Sequence, residues 1–332
     1  MTGVQKIKTF AKKHFNTIFS VSVVVLLVVM FTLIEPRFLN ESNIRNLLSD
    51  TAPLMIMAAG MTGVLLLGSI DLSVGALCSA ANVLVLRVLM TLVEENGMNG
   101  ILAMMLACVV TIAFGIVAGV VLGIIHVKTK IPSFIASLAF MSIWSSVALL
   151  ISNASVALPF GLWNTIAWYN VSIGPFGLPL LIVLALVLGY YVILTRTPFG
   201  FGVYAIGANE RTARLAGIPV ERIKITVFAI NGFTTALGAI LLMAHGRSAA
   251  PRAGDDFTLM VVSAVVLGGT ALIGGAGNIL NTVIGVFIVA MIRNGMNIVG
   301  VNVFWQSVVY GAMILVAIAI NTDRSARSFV VK

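Results

Sequence analysis

Asp71 is the only carboxylate between Asp50 and Glu94, and it stands in a run, Gly60-Met-Thr-Gly-Val-Leu-Leu-Leu-Gly-Ser-Ile-Asp-Leu-Ser-Val-Gly75, that is otherwise apolar or small. Two kinds of chemistry suit a carboxylate there. It can cap the open end of a helix that starts just after it, favoured by the positive end of that helix, or it can bind a polar solute directly. Ser73, Asn82, Asn231 and Trp305 also lie in long apolar runs, and with Asp71 they make up the candidate substrate pathway. Other chemistries lack their residues. His14, His126 and His245 fall at three separate span ends, so no metal site is expected. Cys78 and Cys108 lie in apolar runs and read as small packing residues. There is no Gly-x-x-x-x-Gly-Lys-Ser/Thr loop to cradle phosphates, no Ser, His and acid arrangement, and hence no expected catalytic residue or bound cofactor.

The elements that must position these residues follow from composition. Apolar residues are 60% of the 332 and charged ones 9%, where a soluble domain averages about 25% charged. Lipid cannot satisfy exposed backbone, and the runs are continuously apolar over about 20 residues, so an all-α polytopic membrane protein is expected. Ten transmembrane helices are read near Thr17–Ile34, Thr51–Ser69, Leu72–Val93, Gly100–His126, Pro132–Ile151, Phe176–Leu194, Ile225–Ala244, Phe257–Ile273, Asn278–Ile298 and Asn302–Ile320. Phe38–Leu48 is too short to span and is expected to lie in the interface. Ten spans divide into five and five, which suits an inverted repeat. Gly115, Gly119 and Gly123 recur every four residues, a bare face for close helix packing. The glycine-dense run Gly268–Gly277 is expected to break the helix after span eight.

Lys and Arg fix an orientation. Placing both termini in the cytoplasm gives that side fourteen of them and the outer loops four, a positive-inside bias that accounts for the net charge of +9 without any nucleic acid partner. Residues 1–16 then form a basic cytoplasmic segment, 17–321 a single transmembrane domain and 322–332 a cytoplasmic tail. One polar island interrupts the domain at 195–224, TRTPFGFGVYAIGANERTARLAGIPVERIK, with Arg196, Glu210, Arg211, Arg214, Glu221, Arg222 and Lys224 between apolar runs. An island of this kind inside a membrane bundle suits a protein partner.

Five blocks in order carry a resemblance. They are Gly68–Gly75; Ile131-Pro-Ser-Phe-Ile-Ala-Ser-Leu138; Thr197–Gly200 through Val203–Glu210 to Gly217–Lys224; Val265–Thr270 with Gly274–Gly277; and Asn294–Gly300 with Phe304–Gln306. From about Pro36 to Asn321 the chain resembles the permease subunits of bacterial ABC importers for monosaccharides, the ribose, galactoside and xylose group related to the branched-chain amino acid permeases. The resemblance implies an inner-membrane location, a second permease copy or related permease, a periplasmic sugar-binding protein, and a separate cytoplasmic ABC ATPase that holds the ATP and magnesium. It also implies that Asn209–Gly217 is a short coupling helix, with Gly207, Asn209, Glu210, Ala213, Arg214, Leu215 and Gly217 as ATPase-coupling residues; on such a helix the apolar Ala213, Leu215 and Ala216 are expected to supply the docked face. The chain departs from the family at Phe257-Thr-Leu-Met260, where an acidic residue is usual; here Asp255 and Asp256 lie upstream. A stand-alone secondary transporter is the alternative, disfavoured because the spans offer almost no ionisable residue besides Asp71. A membrane-embedded enzyme comes third.

Overall fold

The computed structural model describes residues 15–321. The tail 322–332 and nearly all of the basic segment 1–16 lie outside the described residues. The described residues form twelve α-helices: α1 (Phe15–Ile34), α2 (Glu41–Leu66), α3 (Val74–Glu94), α4 (Gly100–Thr129), α5 (Ser133–Ile151), α6 (Leu178–Arg196), α7 (Pro198–Ala208), α8 (Glu210–Leu215), α9 (Val220–Gly246), α10 (Phe257–Leu267), α11 (Ile279–Val299) and α12 (Val303–Asn321). Seven of them, α2 to α6, α9 and α11, are long and apolar enough to cross a membrane. Apolar helices α1 and α12 flank the set.

Two expected boundaries are corrected. Phe38–Leu48 is not a separate interfacial piece: a short 3-10 turn at Pro36–Leu39 leads directly into the 26-residue α2. The reason is burial, since Phe38 and Leu47 both pack inside and hold the segment against the bundle. Phe257–Ile273 is not a full span either. Its helix α10 is 11 residues, about 16 Å, because Gly268 and Gly269 end it in mid-protein.

The centre of the bundle is α2, whose spanning window is 83% buried, whereas only 22% of that of α5 is buried. Helix α9 crosses α4 through the bare glycine face. A Cβ added to Gly115 or Gly119 would collide with the backbone of Gly232 or Phe228, and one added to Gly123 would press on Ile225. Packing pairs repeat between the halves: α3 packs on α4 and α5 as α10 packs on α11 and α12, and α9 packs on α4 as α2 packs on α11. These matched pairs fit a five-plus-five repeat. At the end of the bundle away from α8, residues 152–177 form a cover, tied down where Val156 and Ala157 pair antiparallel with Ala249 and Ser248. Arg247 stacks there on Trp163, 4.2 Å from the ring centre.

Candidate functional site

Helix α2 stops because Gly68 takes a left-handed φ of 72°, which only glycine adopts freely. Its N–H reaches Leu65 O at 2.8 Å and that of Ser69 reaches Val64 O at 3.1 Å, closing the last turn. Residues 67–73 then run as irregular backbone inside the bundle, where each unpaired N–H is costly. Neighbouring helices supply the partners. On α5, Ser133 Oγ accepts from Ile70 N and Ser137 Oγ from Leu72 N, both at 3.0 Å. The four-residue spacing puts both hydroxyls on one face of α5, turned to the break. From α10, Thr258 Oγ1 accepts from Gly75 N at 3.0 Å and lies 3.4 Å from Leu72 O. Thr258 belongs to the Phe257–Met260 departure, so that segment braces the start of α3 rather than facing away from it.

Asp71 sits at the middle of this break and is 3% exposed, the one charged side chain in the buried set among the described residues. One oxygen, Oδ1, accepts from Ser73 N at 2.8 Å and Ser73 Oγ at 2.6 Å; Oδ2 accepts from Asn231 Nδ2 at 2.9 Å. The carboxylate therefore does not cap the first turn of α3. It folds the residues ahead of that helix and joins them to α9. Asn231 is 11 residues into α9, about 16 Å along its axis, so the contact lies deep in the bundle. Asn231 Oδ1 has no hydrogen-bond partner.

The structure thus brings Asp71, Ser73 and Asn231 together and places the other two pathway candidates elsewhere. Asn82 bridges α9 and the loop after it, donating to Ala239 O at 3.2 Å and accepting from Ala250 N at 3.0 Å. Trp305 is 62% exposed on α12. One turn before Asn82, Ser79 Oγ accepts from Gly254 N at 2.9 Å and lies 3.4 Å from Asp255 Oδ1. Burial raises the Asp255 carboxyl above its ordinary value, outweighing the Ser79 hydrogen bond and the nearby Arg252.

The polar island folds into two helices. Thr197 caps α7, accepting from Gly200 N at 3.3 Å, and Asn209 caps the 6-residue α8, accepting from Thr212 N at 3.0 Å. Lys224 at the start of α9 holds Glu210 at 2.7 Å, and Arg214 bridges Glu210 and Glu221 at 3.4 and 3.6 Å. Burial alone would raise the Glu210 carboxyl, but hydrogen bonding and charge from Lys224, then from Arg214, hold it below the ordinary value. Gly217, with φ of 79°, turns the chain back into α9. Ala213 is 3% exposed, packed inside this chain, while Leu215 is 82% exposed. The expectation that Ala213 shares a docked face with Leu215 and Ala216 is corrected: only the latter two point outward, because Ala213 fills the contact between α8 and the chain that follows it.

At its other end the island meets the core. Gly207 packs so closely that a Cβ there would overlap Leu66 O and Gly275 N, and Tyr204 donates to Gly277 O at 3.0 Å.

The profile of the branched-chain amino acid transport system permease component matches residues 43–318. This chain belongs to that permease family. It is similar to the ribose import permease protein RbsC of Bacillus subtilis, 38% identical over 91% of both chains, and to RbsC of Escherichia coli K12, 33% identical over 92% of both. The xylose transport system permease protein XylH of Escherichia coli K12 is 29% identical over 89% of this chain and 88% of its own length. No solved structure matches significantly.

Two groups of residues that satisfy these breaks escaped sequence reasoning. Ser133 and Ser137 carried a usable signal, two hydroxyls four apart directly after Pro132 in an apolar span. Tyr204 and Thr258 carried none, since only the fold brings them to backbone groups 73 and 186 residues away.

Proposed function

We propose that this permease is the membrane subunit of an ATP-driven importer that carries a monosaccharide delivered by a periplasmic binding protein across the bacterial inner membrane. A separate ABC ATPase with ATP and magnesium binds at α8, which faces the cytoplasm along with both termini, and a second permease copy or a related permease completes the pathway. The supporting observation is the build of the island. α8 is pinned to α9 through Lys224 and Glu210, yet it leaves Leu215 82% exposed at a polar end of the bundle. A rigid base with a projecting apolar residue suits docking into a protein cleft. The sugar class is drawn from the ribose and xylose permeases it resembles.

A secondary transporter would need an ionisable core residue free to exchange ions. Asp71 is the only such charge in the buried set among the described residues, and its two oxygens are engaged by Ser73 and Asn231. Co-expression with the neighbouring ATPase and weighing of the purified complex tests the reading. Leu215→Asp should bury an unpaired charge at the contact, cost about 3 kcal/mol of binding and release the ATPase. The melting temperature of the permease alone should not change. Undiminished ATPase retention by this variant would refute docking at α8.

A further inference from the structure

The island is attached to the first helix break at two points, and these attachments form a closed circuit. From α8, Glu210 is held by Lys224 of α9. Further along α9, Asn231 holds Asp71 at the α3 side of the break. In the other direction α8 is joined through Asn209 alone to α7, whose Gly207 lies against Leu66 O at the α2 side of the same break. The second glycine-rich segment is locked into this contact. Gly275 N donates to Leu66 O at 2.9 Å, a Cβ on Gly275 would press on Ala208 Cα at 2.7 Å, and one on Gly68 would press on Ile273 O at 2.8 Å. Tyr204 adds its hydrogen bond to Gly277 O at 3.0 Å. Three stretches of backbone thus meet with no side chain between them. Such a junction cannot absorb a shift by rotamer changes, so displacement of one strand moves the others.

We infer that Gly207 and Tyr204 are positioning residues for transport, which deliver motion of α8 to residues 67–73 through the backbone junction with Leu66 and Gly275. The inference rests on the importer reading above, in which an ATPase moves α8. It adds that the moving part inside the bundle is the Asp71 break, clamped from both sides by the island. Helix α8 by itself is too short and too exposed to reach the core; the work passes through α7 at one end and α9 at the other.

The test reads the break directly and needs no knowledge of the transported solute. Ser69 is 5% exposed, and Ser69→Cys in a chain carrying Cys78→Ala and Cys108→Ala gives a single thiol in the break. The permease–ATPase complex is placed in lipid nanodiscs and labelled with N-ethylmaleimide, without nucleotide and with ATP and vanadate. The labelling rate should change about fivefold between the two conditions. Gly207→Ala should shrink that change to less than about twofold; Tyr204→Phe should give an intermediate value, and for this variant ATPase affinity and hydrolysis rate should be kept. If Gly207→Ala lowers the folded yield, Tyr204→Phe carries the test alone, since it removes one hydroxyl and adds no bulk. Full nucleotide response in both variants would overturn the inference, and so would an unaltered complex that hydrolyses ATP without any change at position 69. Failure of any ATPase to bind the unaltered permease would instead remove the importer reading.

Discussion

The turn that ends α2 and the turn that ends α10 are built alike. Gly68 and Gly269 take left-handed φ values of 72° and 82°, and the residue after each, Ser69 or Thr270, closes a bond of 3.1 or 3.2 Å to a carbonyl five residues back. Beyond that point they diverge. After Ser69 the chain continues on side-chain support: Ser133, Ser137, Thr258 and Asn231 come from three other helices to satisfy it. After Thr270 it continues on glycine, with Gly274, Gly275 and Gly277 all at positive φ, and Thr270 Oγ1 has no partner. A break held by borrowed side chains is coupled to every helix that lends one. The glycine break meets its neighbours mainly through backbone, Gly275 N on Leu66 O, with Tyr204 lending its hydroxyl to Gly277 O, so it is sensitive chiefly to bulk.

Substitutions at Asp71 should produce the largest effect. Asp71→Leu strands Ser73 N–H, its hydroxyl and Asn231 Nδ2 in a buried site, and the loss of stability should be about 3–5 kcal/mol, seen as a collapse of monodisperse yield in detergent. Asp71→Asn keeps an oxygen for Ser73 and should lose less than about 2 kcal/mol while retaining much of the transport. Equal loss from both would mean the charge itself, and not the hydrogen bonds, holds the first break.

Next in size are paired substitutions that set bulk against polarity. Gly274→Ala forces a side chain onto φ of 86° and against Gly68, and should cost about 2–3 kcal/mol by thermal denaturation. Ser137→Ala frees one buried N–H and should cost about 1–2 kcal/mol. Thr270→Val, the polar loss in the glycine break, should be within about 0.5 kcal/mol of the parent. A marked cost for Thr270→Val would erase the distinction between the two breaks.

The smallest expected effect is a pH response at the island. The Glu210 carboxyl lies below its ordinary value, so its ion pairs add stability above the normal carboxylate range, and that contribution drains away as pH falls through the depressed value. Exposure of 43% keeps it small through solvent screening. Glu210→Gln should lower the neutral plateau of the melting-temperature profile slightly and leave its acid end unchanged, which flattens the acid limb; a limb as steep as the parent's would assign it to other carboxylates.

Much of this was legible in the residues. Continuous apolar runs declare spans because lipid leaves the backbone no other partner, and the four-residue glycine spacing declared the α4 face that meets α9. Asp71 announced a broken helix because a lone carboxylate is too costly inside an intact one. Its partner Asn231 could be named as a pathway residue but not joined to it, since 160 residues separate them and only the crossing of α9 over α2 and α3 brings them together. The length of α10 was misread for the opposite reason. Val261–Val266 is as apolar as any span, and the glycines that stop it resemble those tolerated in the middle of α4. Ala213 was assigned outward because helical spacing gives two apolar sides to a six-residue helix and cannot say which one faces the parent chain.

On the proposed reading, ATP hydrolysis on a partner, and not an ion gradient, drives solute through this permease. Proteoliposomes holding the permease with its ATPase and enclosed ATP, supplied outside with the binding protein and with labelled ribose, xylose or galactose in turn, test it most directly. Accumulation of one sugar should require ATP and persist when ionophores collapse the proton and sodium gradients. Accumulation that needs no ATP and vanishes with the ionophores would contradict the account.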